Sequence, residues 1–188
     1  MSVLVYTENW DGKFKKLSFE LISYANEIAK KINSSVIALS IGNVSEDELK
    51  LLGKYGATKV LSVNHDKIKG LDNQVFTSII AQAVEKEKSS LVVFAHNNTG
   101  KAIAPRLSVR LKAGLVTGVT AVPASFEPFT VIKKVFTSKA LSTVVVNSPL
   151  RIVTLLQNAF GIIDAPASVT IEAFQPQIPD AEFTTEIK

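Results

Sequence analysis

The sequence predicts an α/β fold: a three-layer domain with a mostly parallel sheet flanked by helices, plus additional strands toward the C-terminus. Three observations predict it. Apolar strand-like runs alternate with amphipathic helical patterns through the first half of the chain, which is the rhythm of βαβ units. The runs are almost continuously apolar, as strands covered on both faces require. After Gly114 the rhythm changes to strand-like segments with short connections and no helix between them, which is what antiparallel strands or strands added to a sheet edge look like.

The elements follow in order. Val3–Tyr6 reads as a short strand, and Asn9, Asp11 and Gly12 mark a turn. From Ser18 to Ile32, apolar residues at Leu21, Ala25, Ile28, Ala29 and Ile32 recur at helical spacing, with Leu17 just before them. Ser35–Ile41 is a second buried strand. Ser45 and Glu48 match the S-x-x-E capping box, so a helix is expected from Glu46 to about Lys54, closed by Gly56. Lys59–Val63 is the third strand, Asn73–Lys88 the third helix and Leu91–Ala95 the fourth strand. Pro105 belongs in a first helical turn, which places the next helix start near Ala102. Val116–Val122, Phe129–Phe136, Thr143–Asn147 and Arg151–Leu156 are the later strands, and Ser168–Phe174 is a last one. Beyond Phe174 the text QPQIPDAEFTTEIK is acidic and proline-broken, and reads as a linker. No internal repeat is evident.

The totals exclude several chemistries. With 188 residues, 46% hydrophobic and 20% charged, the chain can bury a sizeable core. It has no cysteine, which removes disulfides, thiolate metal sites and cysteine nucleophiles. His65 and His96 are the only histidines. The formal charge is +4, but the basic pairs Lys15–Lys16, Lys30–Lys31 and Lys133–Lys134 are short, so no nucleic-acid partner is expected. The longest apolar stretch, Val144 to Leu156, is broken by Asn147, Pro149 and Arg151 and falls well short of the about 20 residues a membrane span needs. The N-terminus lacks the basic and apolar regions of a secretory signal. The expectation is a soluble protein of the bacterial cytoplasm or an equivalent compartment, without membrane insertion.

The candidate site is the turn and helix after the fourth strand. In open α/β sheets, ligands sit beyond the carboxyl ends of the strands, where helix N-termini offer free N–H groups. Asn97, Thr99, Gly100, Lys101 and Arg106 are the anion or nucleotide candidates there. Their other reading is a basic amphipathic helix lying on a sheet, with Ile103, Leu107 and Leu111 inward. Neither G-x-G-x-x-G nor a P-loop is present. A hydrolase would rest on His96 and His65 alone, with no nucleophile elbow. Tyr6, Trp10 and Phe14 could stack on a base or a partner, or simply pack the first helix. Thr137–Val146 feeds a polar turn into a β-branched strand, either buried in a second sheet or docked on another subunit.

Four segments carry a family resemblance. They are VLVYTENWDGKFKKLSFELISYANEIA; LLGKYGATKVLSV, with Tyr55-Gly56-Ala57; NNTGKAIAPRLSVRLKAGLVTGVTAV, with Gly100-Lys101, Pro105-Arg106 and Gly114–Thr117; and FTSKALSTVVV. In order and spacing they resemble the N-terminal domain of the alpha subunit of electron transfer flavoprotein, over residues 1–174. Each motif alone is weak and the set is more specific. The resemblance implies an adenine-nucleotide alpha-hydrolase-like fold. It also implies a heterodimer with a beta subunit, carrying FAD and passing electrons from flavin dehydrogenases to a quinone reductase or another acceptor. In that family FAD is held mainly by the alpha subunit's C-terminal domain, which this sequence does not contain. Residues 175–188 would be the linker toward it, and the chain is expected to be a fragment. No FAD contact, tightly bound cofactor, metal or enzymatic activity is therefore expected of this chain alone. The family's beta subunit uses the turn after its fourth strand to help bind AMP. The corresponding turn here is Asn97–Lys101, and the alpha copy is not expected to bind AMP. The expected role is a scaffold at the subunit interface, with self-association when the partner is missing. The alternative is a stand-alone adenine-nucleotide-binding module.

Overall fold

The computed structural model describes residues 2–68 and 70–183. Its main sheet runs in the order β10-β9-β7-β11-β6-β1-β4-β5-β12, with β8 paired to β9. The strands are β1 (Ser2–Tyr6), β4 (Ser35–Ile41), β5 (Lys59–Val63), β6 (Ser89–Ala95), β7 (Gly114–Val119), β8 (Ser125–Phe126), β9 (Phe129–Val135), β10 (Ala140–Val146), β11 (Arg151–Leu155) and β12 (Thr170–Ala173). Strands β2 (Asn9–Trp10) and β3 (Lys13–Phe14) form a separate small hairpin. From β7 through β12 every neighbouring pair is parallel.

Helix α1 (Lys16–Lys31) lies on one face of the sheet, and α3 (Asn73–Glu87) and α4 (Asn98–Leu111) pack together on the other. Side chains alternate across a strand, so Val3 and Val5 join the α1-side core while Leu4 and Tyr6 join the α3–α4 side. Both faces are covered, which is why these strands carry apolar residues on both faces. The short helix α2 (Glu46–Lys50) is capped by the Ser45 hydroxyl, which accepts from the Glu48 amide at 3.4 Å. It then tightens into a 3-10 segment, Leu51–Tyr55, rather than continuing as α-helix to Lys54. Gly56 closes it at φ 111°.

Two expectations are corrected. Helix α4 starts at Asn98, not near Ala102, because the Asn97 side chain caps it by accepting from the Gly100 amide at 2.9 Å. Pro105 therefore sits inside the helix and removes one internal hydrogen bond. The strands after Gly114 also divide. Strands β7 and β11 join the parallel sheet, with β11 inserted between β6 and β7. Only β8, β9 and β10 are antiparallel. A single ladder pair, Val119 with Lys133, ties the β9–β10 hairpin to β7.

After β11 the chain crosses the α1 face to the far edge of the sheet. Buried Glu20 on α1 holds this crossing, its carboxylate accepting from the amides of Asn158, Phe160 and Gly161 at 2.9–3.0 Å. Beyond β12 the proline-broken segment lies along α3. Gln82 and Gln177 exchange two hydrogen bonds, Glu182 approaches Arg110 at 3.7 Å, and Phe183 stacks on His65 at 5.5 Å. Of the segment 175–188, residues 184–188 lie outside the described residues.

Candidate functional site

The chain passes from β1 to β4 on one side and later places β6 on the other side of β1. The carboxyl ends of β1 and β6 therefore flank the switch point, where α/β sheets open a crevice. Glu8 follows β1 and Asn97 follows β6. The Asn97 Nδ2 donates to Glu8 Oε2 at 2.6 Å, and the Thr99 hydroxyl donates to Glu8 Oε1 at 2.8 Å. The helix start that the sequence offers to an anion is thus already supplied with one. A carboxylate at the positive end of α4 is electrostatically matched.

The candidate residues separate accordingly. Asn97, Thr99 and Gly100 come together around Glu8 and the start of α4. Gly100 serves close packing, since a Cβ there would stand 1.9 Å from the Ala95 carbonyl oxygen. Lys101 and Arg106 are exposed and form no salt bridge among the described residues. Sequence reasoning missed Glu8. Its only signal was an acid two positions past a buried strand, and its partners are about ninety positions away.

The two histidines have structural roles. The His96 Nδ1 lies 2.7 Å from the Thr154 hydroxyl, which also accepts from the Gly118 amide at 2.9 Å. The Thr154 hydroxyl, with one proton and two lone pairs, thus joins His96 to the β7 backbone. Burial, with Lys101 and Lys133 nearby, holds the His96 pKa below the usual histidine value. His65 Nδ1 accepts from the Lys67 amide at 3.2 Å. No cluster of metal-ligating side chains occurs among the described residues.

Tyr6 and Phe14 are core residues. Tyr6 packs against Phe76 and Phe94, and Phe14 against Phe19. Burial, with the Glu8 charge adding to it, pushes the Tyr6 pKa up. Trp10 is different: it is 59% exposed, with the Lys15 ammonium 4.2 Å from its ring centre.

A second candidate surface is the β9–β10 hairpin. One face, with Phe129, Val131 and Val146, is buried in the α1-side core. The opposite face carries Leu141, Thr143 and Val145, paired across the strands with Lys134, Ile132 and Thr130. Leu141 is 68% exposed, Val145 50% and Phe136 at the tip 81%. The outer side of β10 pairs with no strand among the described residues. From Phe129 to Val146 the chain contains Lys133, Lys134 and Lys139 and no acidic residue. None of these lysines forms a salt bridge among the described residues.

Comparison with known proteins identifies the family. The model of one family, described as "Electron transfer flavoprotein domain", matches residues 3–179. The electron transfer flavoprotein subunit alpha of Bacillus subtilis is 26% identical over 180 residues, covering 95% of this chain and 55% of the relative. The subunit alpha of Syntrophomonas wolfei is 30% identical over 140 residues, covering 74% of this chain and 43% of the relative. The acryloyl-CoA reductase electron transfer subunit beta of Anaerotignum propionicum is 30% identical over 118 residues, covering 63% and 32%. The chain thus spans about half or less of the length of these relatives. No helix among the described residues is long and apolar enough to cross a membrane.

Proposed function

Because the chain belongs to the electron transfer flavoprotein domain family, we propose that it is the scaffold of an alpha-type electron transfer subunit and docks a beta-type subunit. The observation that carries this reading is the β9–β10 hairpin. Its strand β10 presents an unpaired edge next to an exposed apolar face, so it can accept a strand from a partner whose side chains on the same face pack beside Leu141 and Val145. The lysines select a partner strand that carries carboxylates. A second copy of this chain would set lysines against lysines, so self-association is the weaker alternative that appears when the partner is missing.

Flavin has no seat at the predicted turn. A flavin pyrophosphate at the start of α4 would face the Glu8 carboxylate, which Asn97 and Thr99 already hold. The reading therefore places FAD on a further domain, as the resemblance implies. The chain's own residues contribute position and binding surface, not redox chemistry or catalysis. Electron donors and acceptors, of the dehydrogenase and quinone-reductase kinds, would be met by the assembled complex. The same Glu8 contacts count against the adenine-nucleotide module at this turn.

Two measurements on the 188-residue chain test the reading. Mixing with the cognate beta subunit should give a stable one-to-one complex by light scattering, and the purified chain should show no flavin absorbance. Failure to bind the beta subunit, or stoichiometric flavin on the chain alone, would overturn it.

A further inference from the structure

The switch-point crevice holds a cavity of about 540 Å³ on the α1 side of Glu8. That volume lies in the range of small-molecule sites. It is distinct from the hairpin edge on which the proposed function rests. Its apolar wall is built from Phe14, Leu17, Leu21 and Ala95. Trp10, Lys15 and Lys16 stand at its rim, all three exposed.

The rim is preorganised. The hairpin β2–β3 turns on Asp11 and Gly12, both in the left-handed region at φ 47° and 72°, which is the Asp-Gly pairing that two-residue hairpin turns favour. Three contacts fix it. Asn9 Nδ2 donates to the Ile41 carbonyl at 2.8 Å, the Phe14 amide to Glu48 Oε1 at 2.9 Å, and Lys13 to Glu48 Oε2 at 3.0 Å. Burial opposes charge on Glu48, but the Phe14 amide and Lys13 outweigh it and keep the carboxyl below its usual pKa. Trp10 is thereby held in water by a fixed strand rather than left there by a loose one.

The charges select the ligand. Lys15 and Lys16 form no salt bridge among the described residues, and no acid lies in the first turn of α1. Glu8 also lines the cavity, partly buried and bonded to Asn97 and Thr99, so an anionic group is disfavoured beside it and favoured between the exposed lysines. We propose that this cavity binds a small aromatic anion. Its ring lies inward against Phe14 and Leu21 with Trp10 beside it, and its anionic group sits outside between Lys15 and Lys16. A bare anion gains nothing from the apolar wall, and a neutral ring leaves the lysines unused.

Trp10 is the only tryptophan of the chain; it lines this cavity and also a neighbouring one beside Gly42, which Lys15 and Lys16 do not line, so its emission is read together with the lysine variant below. The 188-residue chain is titrated with phenyl phosphate, with phenol and with inorganic phosphate, following Trp10 fluorescence and, independently, saturation-transfer NMR of the small molecule. The expected result is saturable binding of phenyl phosphate, with phenol and phosphate each at least about fivefold weaker. The double variant Lys15→Gln/Lys16→Gln should lower phenyl phosphate affinity by a similar factor and leave phenol unchanged. These side chains are exposed, so circular dichroism should show an intact fold. Absence of saturable binding, equal affinity for phenol and phenyl phosphate, or an unchanged double variant would each overturn the proposal.

Discussion

The two edges of the sheet are built in opposite ways. The β12 edge is short, carries a charge and is followed by prolines. Glu172 accepts from Lys59 at 2.7 Å and also pairs with Lys86, and Lys59 reaches Glu87 at 2.7 Å. Pro176 and Pro179 come next. These are the devices by which proteins blunt an edge against further pairing. The β10 edge has none of them. It is seven residues long, β-branched, without an acid or a proline, and apolar on its outer face. One edge is blunted against further pairing, whereas the other presents an unblunted strand.

The largest expected effect comes from unfastening the closed edge. Glu20 holds the crossing that delivers β12, and Glu20→Ala leaves three amides without their acceptor. Some of these can turn to water, so a loss of about 2–3 kcal/mol is expected in urea unfolding. Exchange protection in β12 should fall more than in β1. Equal loss across all strands would show that the crossing does not govern this edge.

Next in size is the open edge. Leu141→Asp together with Val145→Asp should weaken capture of the beta subunit at least tenfold, about 1.4 kcal/mol. Both side chains are at least half exposed, so the melting temperature should stay close to that of the parent chain. Salt should act in opposite directions on the two associations. It screens the lysine–carboxylate attraction and weakens the heterocomplex, while it relieves lysine–lysine repulsion and strengthens self-association. Sedimentation across a salt series distinguishes them, and parallel trends would contradict the charge argument.

The smallest effect concerns the ion network at the closed edge. Hydrogen bonds from Lys59 and Lys86 hold the Glu172 carboxyl below its usual pKa of 4.5. A depressed folded pKa stabilises above the unfolded value, and that contribution is lost as pH falls through the folded value. The parent should therefore lose stability below about pH 4.5. Lys59→Met should lose less over that window, with a difference under about 1 kcal/mol because the pair is partly exposed. Identical acid profiles for parent and variant would remove the network from the account.

These contrasts explain what was legible in the sequence. The parallel core was legible because strand and helix periods are local, from Val3 to Ala95. The open edge was half legible: Thr137–Val146 showed a β-branched strand with two fates, and the structure shows one face of it buried and the other exposed. The place of β11 was not legible. An apolar run from Arg151 to Leu155 fits a central strand as well as an edge, and its neighbours β6 and β7 are fixed only by the assembled sheet. Glu8 and Glu20 were hidden for a related reason. An acid is ordinarily read as surface, and the groups that satisfy these two lie about ninety and about one hundred and forty positions away. The turn at Asn97–Lys101 was read as preceding a helix that starts near Ala102, whereas α4 starts at Asn98, and the anion at that start belongs to the chain.

Amide hydrogen exchange of the chain with and without its cognate beta subunit tests the central claim most directly. The account predicts that complex formation protects the outward amides of β10, leaving β12 unchanged. Protection at β12 or on the α3–α4 face, with β10 still exchanging freely, would contradict it.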